Sequence, residues 1–448
     1  MAKKLLALAL ALVLLCSACA LAASDVESLL ALAEKGDPAA MNNLGILYKN
    51  GDGVEQDYAL AYEWYQKAAE QGSAAAMNNL GILCYYGLGT EQSCELAAEW
   101  YGKAAELGSA EAQGNLGVLY RNGLGVAQDD AKAAEWYQKA AEGGNERAMN
   151  NLGILYYYGE GVEQDYAKAA EWYQKAAEAG LKEAQENLGG LYEQGLGVAQ
   201  DLQTAQEWYG KAAEQGSDRA QTAIGLLYYF GSGVEQDYAK AAEWLELGAK
   251  AGNTEALKRL GIMYRCGYGV EQDSAKAAEY LEKAAEQGSV VSMNQLGSLL
   301  SGTEDAGQNT AAVEWFTKAA EAGDIDAQNR LGSIYYFGIG TEPDYAKAAE
   351  WYCKAAEAGY ADAQFTLGVM YRNGQGVEQS NAKALEWYTK AAEAGHAGAQ
   401  NNLGVMYQLG QGTAVDFDAA AEWYTKAAEQ GFDAAKANLD NLNTLLSR

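Results

Sequence analysis

The sequence predicts an all-α fold: a solenoid of eleven 36-residue helix-turn-helix repeats, closed by a capping helix at each end. Three observations carry this reading. Leu-Gly pairs fall at 44/45, 80/81, 116/117, 152/153, 188/189, 260/261, 296/297, 331/332, 367/368 and 403/404, with Ile224-Gly225 in the vacant place. The step is 36 residues throughout, except for one of 35 before Leu331. All ten tryptophans keep the same period, at 64, 100, 136, 172, 208, 244, 315, 351, 387 and 423, with Tyr280 in the missing slot. A period this regular marks stacked supersecondary units, and one array replaces the several domains that 448 residues would otherwise suggest.

In chain order, residues 1–22 read as a secretory leader. Lys3 and Lys4 form its positive end, Leu5–Leu15 is an apolar run too short to span a bilayer, and Ala20-Leu21-Ala22 offers a small-x-small cleavage site. Cys19 offers lipidation as an alternative, although Cys16 stands where a lipoprotein signal usually has Leu. The expected location is therefore the periplasm or the outside of the cell, and no other stretch approaches membrane-span length. Residues 24–36, "SDVESLLALAEKG", align with the tail of a second helix and predict an N-terminal cap. The repeats occupy 37–431. Residues 432–448 read as a lone first helix, in which Leu439 keeps its place and Asp440 replaces the glycine. Solenoids need such caps to cover their end faces.

Each repeat reads as helix A, a loop and helix B. In 145–180, "NERAMNNLGILYYYGEGVEQDYAKAAEWYQKAAEAG", helix A carries Ala148, Leu152, Leu155 and Tyr156 on one stripe. Gly153 sits mid-helix, where glycine costs about 1 kcal/mol against Ala, and predicts a close backbone approach. Gly159 and Gly161 break the chain, Asp165 is the expected N-cap of helix B, and Gly180 ends it. Helix B is expected to bury Ala169, Trp172, Tyr173 and Ala176. Repeat 8, "SGTEDAGQNTAAVEWF", has lost its Gly-x-Gly loop and one residue, which predicts a local change of path near 301–310.

The pattern "A…NLG..Y..G.GV..D..KA..W..KAAE.G" resembles the Sel-1-like repeat, a relative of the tetratricopeptide repeat, over residues 37–431. The resemblance implies a right-handed α/α superhelix that binds protein or peptide on its concave face, often as an adaptor. It also implies host-interaction or envelope roles for exported bacterial members.

Advancing about 100° per residue along helix A, Asn43, Ile46 and Asn50 share a stripe turned away from helix B. In the geometry of the resembled family that stripe lines the groove. Its first position reads Asn43, Asn79, Asn115, Asn151 and Asn187, then Ala223, Arg259, Gln295, Arg330, Thr366 and Asn402. An amide both donates and accepts, so these five asparagines form a candidate ladder for the peptide groups of an extended ligand. The alternative is an ancestral letter multiplied by duplication and facing water. The last stripe position alternates Asn50, Asn122 and Asn373 with Tyr86, Tyr158, Phe230 and Phe337. Tyr86, Tyr158 and Phe230 are candidate groove aromatics, suited to apolar groups or sugar faces, or else cover the next helix A.

Composition narrows the partner. The net charge of −29 opposes nucleic-acid phosphates and anionic lipid, and favours a neutral or basic polypeptide, with an envelope glycan or peptidoglycan fragment as the second reading. Glu63–Lys67, Glu99–Lys103, Glu135–Lys139 and Glu171–Lys175 are i, i+4 pairs on solvated helix B faces. Cys84 and Cys94 replace the tyrosines at Tyr48 and Tyr58 within a single repeat, across one short loop. In an oxidising compartment this predicts a disulfide worth about 2–3 kcal/mol. Cys266 and Cys353 are solitary.

Catalysis finds little support. Ser380-Asn381-Ala382-Lys383 spells S-x-x-K, as in β-lactam-reactive enzymes, without K-T-G or S-D-N, and Lys383 occupies the slot of Lys132, Lys168, Lys240 and Lys347. The single histidine, His396, lies in an inter-repeat turn. "GVEQD" loops carry too few ligands for a calcium loop. No cofactor and no metal are expected, and the chain reads as a binding protein, not an enzyme.

Overall fold

The computed structural model describes residues 26–303 and 305–447. The leader expected over 1–22 and Cys19 lie outside the described residues. The described chain is helical, with short loops and no strand. It forms two compact units, one running to Ala220 and taking in Ser232–Val234, the other comprising Gln221–Gly231 and the chain from Glu235.

In the first unit a helix over residues 26–33 precedes five A/B pairs: Pro38–Asn50 and Tyr58–Glu70, Ala74–Tyr86 and Cys94–Glu106, Ala110–Asn122 and Asp130–Glu142, Glu146–Tyr158 and Tyr166–Glu178, Lys182–Gln194 and Leu202–Glu214. Each A helix packs on its own B helix, and each B helix packs on the A helix that follows. The second unit repeats this arrangement from Tyr238–Lys250 to the pair Ala397–Leu409 and Phe417–Glu429, and ends on Asp433–Leu446. Both units are therefore α/α solenoids.

Repeat 4 shows why the sequence folds this way. Ala148, Leu152 and Leu155 are buried, as are Ala169, Tyr173 and Ala176 of helix B. Trp172 is only half-buried; its ring instead carries the Lys175 ammonium 4.0 Å from the centroid. The same Lys-over-Trp contact recurs at Lys67, Lys103, Lys139, Lys211, Lys318, Lys354, Lys390 and Lys426. Of the four Glu–Lys pairs expected from spacing, Glu171–Lys175 closes at 2.8 Å.

Gly153 refines an expectation. A Cβ there would stand 2.6 Å from the Tyr173 ring, which belongs to the same repeat's helix B. The mid-helix glycine thus admits first an aromatic ring, with the backbone of the same helix B, Ala169 O at 3.3 Å, behind it. A closer backbone approach lies in the loop, where a Cβ on Gly161 (φ +69°) would run into the Asp130 carbonyl. That contact joins one repeat's loop to the preceding repeat's helix B.

Asp165 caps helix B by accepting from Lys168 N at 2.9 Å. Gln164, in the "EQD" of the loop, donates to Tyr157 O at 2.9 Å, and Gln56, Gln92, Gln200, Gln236, Gln272 and Gln379 do the same in their repeats. Repeat 8 departs locally: helix A shortens to Val290–Leu300, helix B lengthens to Ala306–Glu321, and Asn309 bridges the gap through Gly302 N and Thr303 O.

Candidate functional site

The repeated asparagine pair has a structural partner. Asn79 Nδ2 donates to Asn42 Oδ1 at 3.0 Å, Asn115 Nδ2 to Asn78 Oδ1 at 3.0 Å, and Asn187 Nδ2 to Asn150 Oδ1 at 3.0 Å. In the second unit Asn438 donates to Asn401 at 2.9 Å, tying the last helix to repeat 11. The second amide of each pair reaches back to the first amide of the preceding repeat. Each such bond is worth about 1 kcal/mol. The first asparagine, at 42, 78 and 150, is the partner that sequence reasoning missed; its signal was the adjacency of the two letters in helix after helix.

The five ladder residues therefore stand in three situations. Asn79, Asn115 and Asn187 are half-buried, with one N–H committed to a neighbouring repeat. Asn43 is exposed at the start of the row. Asn151 finds glycine at 114, where its acceptor would be, and neighbours the Tyr137 phenol. Burial pushes that phenol up to about 12, with Arg121 and Asn151 pulling the other way. Beyond repeat 5 the row turns inward on its own helices: Arg259 pairs with Glu255, Arg330 with Asp326, and Thr366 donates to Asp362 O.

The aromatics lie where the stripe ends. Tyr86 is 64% exposed, Tyr158 63% and Phe230 55%. Each ring meets the edge of the tyrosine before it, Tyr85, Tyr157 or Tyr229, at 4.8–5.0 Å between centroids. Phe230 also carries the Arg259 guanidinium at 5.1 Å. Tyr86 and Tyr158 leave most of their surface in solvent. On the same face of the first unit a cavity of about 620 Å³ opens between the A helices of repeats 2, 3 and 4. Asn78, Ile82, Gly114, Asn115, Val118 and Asn151 are among its walls.

Glu186 replaces the first asparagine in repeat 5 and is buried. Burial pushes its carboxyl above the usual range, although the Ser217 hydroxyl donates to it and Arg219 lies 3.5 Å away. A carboxylate in an amide's slot has kept the place and lost the neutrality.

The expected Cys84–Cys94 disulfide is not formed; both are free cysteines. The Cys84 side chain is fully buried in a core against which Tyr62 of the preceding helix B packs, and burial pushes its thiol above the ordinary range. Ser380 serves as an N-cap accepting from Lys383 N at 3.3 Å, and the Lys383 ammonium lies over Tyr371. His396 is likewise a cap: its Nδ1 accepts from Ala399 N at 3.0 Å while its ring stacks on Phe365. Among the described residues no cluster of histidine, cysteine or carboxylate side chains could hold a metal ion, and no helix is long and apolar enough to cross a membrane.

The Sel1 repeat profile matches eleven times in succession, over 38–73, 74–109, 110–145, 146–181, 182–217, 218–253, 254–289, 290–324, 325–360, 361–396 and 397–432. Its boundaries fall one residue later than those read from the Leu-Gly period. The fold is similar to the crystal structure of a protective antigen present in uropathogenic Escherichia coli strains, which displays an SLR fold. The TM-score is 0.78 at 37% identity, covering 94% of this chain and 90% of that one. A Sel1 repeat protein from Oxalobacter formigenes matches with a TM-score of 0.50 at 37% identity, over 55% of this chain and 96% of its own. Comparison with curated proteins returns no match. With the repeat profile running from 38 to 432 and a relative 37% identical along almost all of both chains, the chain belongs to the Sel1-repeat family.

Proposed function

We propose that the chain is an exported, non-catalytic scaffold that holds an extended segment of another polypeptide on the outward face of its A helices. Sel1-repeat proteins act in general as protein-interaction scaffolds; the proposal adds where and how this one binds. The observation that carries it is the exposure of Tyr86 and Tyr158, each nearly two-thirds in solvent on the stripe that also holds Asn79, Asn115 and Asn151. Large rings with a polar tip are the residues that dominate binding interfaces. The amides of Asn79, Asn115 and Asn187 keep further hydrogen-bonding capacity after the inter-repeat bond, those of Asn43 and Asn151 make no such bond, and a peptide group matches them whatever the ligand's sequence. Phe230 offers the same kind of contact in the second unit. The charge of −29 directs the scaffold to neutral or basic segments and away from nucleic acid.

Export is supported by the leader-like sequence over 1–22 and by the likeness to an antigen, a class of protein that antibodies must reach. A second reading rests on the same exposed rings: Tyr86, Tyr158 and Phe230 present flat faces on which the sugars of an envelope glycan could stack.

Selection of displayed random peptides on the wild-type protein, repeated on a Tyr86→Ala/Tyr158→Ala variant, tests the first reading. Peptides enriched by the wild type and lost by the variant, with the melting temperature unchanged, are the expected result. An identical peptide pool from both proteins overturns it. Retention of peptidoglycan fragments by the wild type alone, with no peptide enrichment, transfers the site to the glycan reading.

A further inference from the structure

We infer that the place where repeat 8 has lost the end of its helix A is a pocket for one aromatic side chain of the bound polypeptide, seated beside the Arg330 guanidinium. The inference rests on the polypeptide-binding reading above and adds to it an anchoring point in the second unit.

Counted from the leucine of each Leu-Gly pair (Ile224 in repeat 6), the fifth residue on is tyrosine, lysine, arginine, glutamate or glutamine in every repeat but the eighth. The sixth is tyrosine or phenylalanine in four repeats, at Tyr86, Tyr158, Phe230 and Phe337. Repeat 8 holds Ser301 and Gly302 in these two places. Its helix A stops at Leu300, two residues short of the end that Thr254–Cys266 reaches in the repeat before. The chain carries its own template for what is missing there. Arg259 and Arg330 are the two arginines of the row that begins at Asn43, and the Nε of each lies 2.8 Å from the carboxylate four residues back, Glu255 or Asp326. The Arg259 guanidinium lies over two rings from the preceding repeat's helix A, Tyr229 at 5.5 Å and Phe230 at 5.1 Å. Arg330 finds Ser301 and Gly302 in those places. Its ring contact is the core residue Phe316 at 5.9 Å, close to the limit of about 6 Å for a cation–π contact.

A cavity of about 380 Å³ opens at this point, with Ser301, Gly302 and Arg330 among its walls. Phe316 and Ile334, both buried, line its inner side, and Ile339, 40% exposed, stands toward the solvent. The walls set the class of occupant. Apolar carbon on the inner side favours a hydrophobic group. The guanidinium favours the negative face of a ring, because its charge is already met by Asp326 and a second carboxylate would compete for it. A tyrosine or phenylalanine side chain satisfies both demands, and an aliphatic one only the first. The partner's ring thus takes the place that Tyr229 and Phe230 fill beside Arg259.

The test uses the full chain with labelled isoleucine methyl groups, read at Ile334 and Ile339, and three probes: Ac-Gly-Tyr-Gly-NH₂, Ac-Gly-Leu-Gly-NH₂ and p-cresol, the tyrosine side chain alone. The expected result is that the tyrosine peptide shifts both methyls and binds more tightly than either of the others. Ser301→Tyr, which gives repeat 8 a ring of its own, abolishes the shifts, whereas Ser301→Ala keeps the cavity and binds as the wild type does. Arg330→Gln leaves the cavity open and the protein without the added ring. It weakens the tyrosine peptide about two- to fivefold, the size of an exposed cation–π contact, and leaves the leucine peptide unchanged. Absence of shifts at both methyls, undiminished binding by Ser301→Tyr, or a loss in Arg330→Gln that the leucine peptide shares overturns the pocket. A leucine peptide as tight as the tyrosine one overturns the choice of a ring, and p-cresol as tight as the peptide overturns a polypeptide as its source. The peptide selection on Tyr86 and Tyr158 reads the first unit and stands apart from these outcomes: if it succeeds while the pocket fails, only the pocket is lost; if both fail, the polypeptide reading falls with it.

Discussion

At the scale of single residues, two glycines of the same helical context predict opposite results. Gly102 lies inside helix B of repeat 2 with no atom within 4 Å of a built Cβ. Gly102→Ala should therefore stabilise by about 1 kcal/mol, the ordinary helix-propensity gain. Gly153 is also helical, but its Cβ would stand 2.6 Å from the Tyr173 ring and 3.3 Å from Ala169 O. Gly153→Ala should destabilise by about 1–3 kcal/mol as the ring is displaced. Urea melts of the two variants check this, and a gain for Gly153→Ala would sink the packing account. Glu186 makes a second prediction. Its folded pKa is raised, first by burial, so its contribution to stability is full below the ordinary carboxylate range and is lost as pH rises through the folded value. Glu186→Gln keeps the acceptor for Ser217 without the charge, and should melt higher than the wild type at pH 7. The advantage should shrink as the solution is acidified; a gap independent of pH would show that the carboxylate is not the cause.

At the scale of elements, the caps set the acid limit. Asp129, Asp165, Asp237 and Asp344 are held below the usual carboxylate range chiefly by the backbone N–H of the lysine three residues on, and Asp201 first by the Thr204 hydroxyl. A depressed pKa contributes stability above the unfolded value and loses it as pH falls through the folded one. Melting temperature should thus drop below about pH 4, and Asp165→Asn, which keeps a capping oxygen, should flatten that drop. A profile that does not change with this substitution removes Asp165 from the account. These caps were legible in the sequence because a cap is local: Asp165 and its partner are three residues apart. Helix spans, period and end caps were legible for the same reason. Contacts between elements were not. A helical wheel showed which way Gly153 faces but not that Tyr173 fills the space. It showed that Asn79 faces outward but not that Asn42 accepts from it. The Cys84–Cys94 pairing failed likewise, since loop length speaks only of sequence proximity while Cys84 is buried in a core that Tyr62, a residue of the preceding repeat, helps to cover.

At the scale of the whole molecule, charge is the property that no single repeat reveals. Each repeat has a modest acidic excess, and eleven copies accumulate to −29. The ion pairs that offset it are mostly exposed and local, such as Lys175–Glu171 and Lys390–Glu386 at 2.8 Å, and contribute little against the field of the rest. Like charges within about 30 Å repel at 0.01 M salt, whereas at 0.1 M the screening length is about 10 Å, close to the spacing of packed helices. Stability should therefore rise with sodium chloride over this range and level off beyond it, as repulsion between neighbouring repeats is screened. Binding should respond in two ways that separate the scaffold's forces. Capture of basic peptides, drawn by the overall field, should weaken steeply as salt increases. Contacts made by neutral amides and by the Tyr86 and Tyr158 rings should change little, because they carry no net charge to screen. Melting curves and peptide titrations across the same salt series check both halves. A melting temperature that falls with salt would mean that local ion pairs outweigh the field. Affinity for a neutral peptide that falls as steeply as that for a basic one would mean that the helix A face recognises charge, not amides and rings.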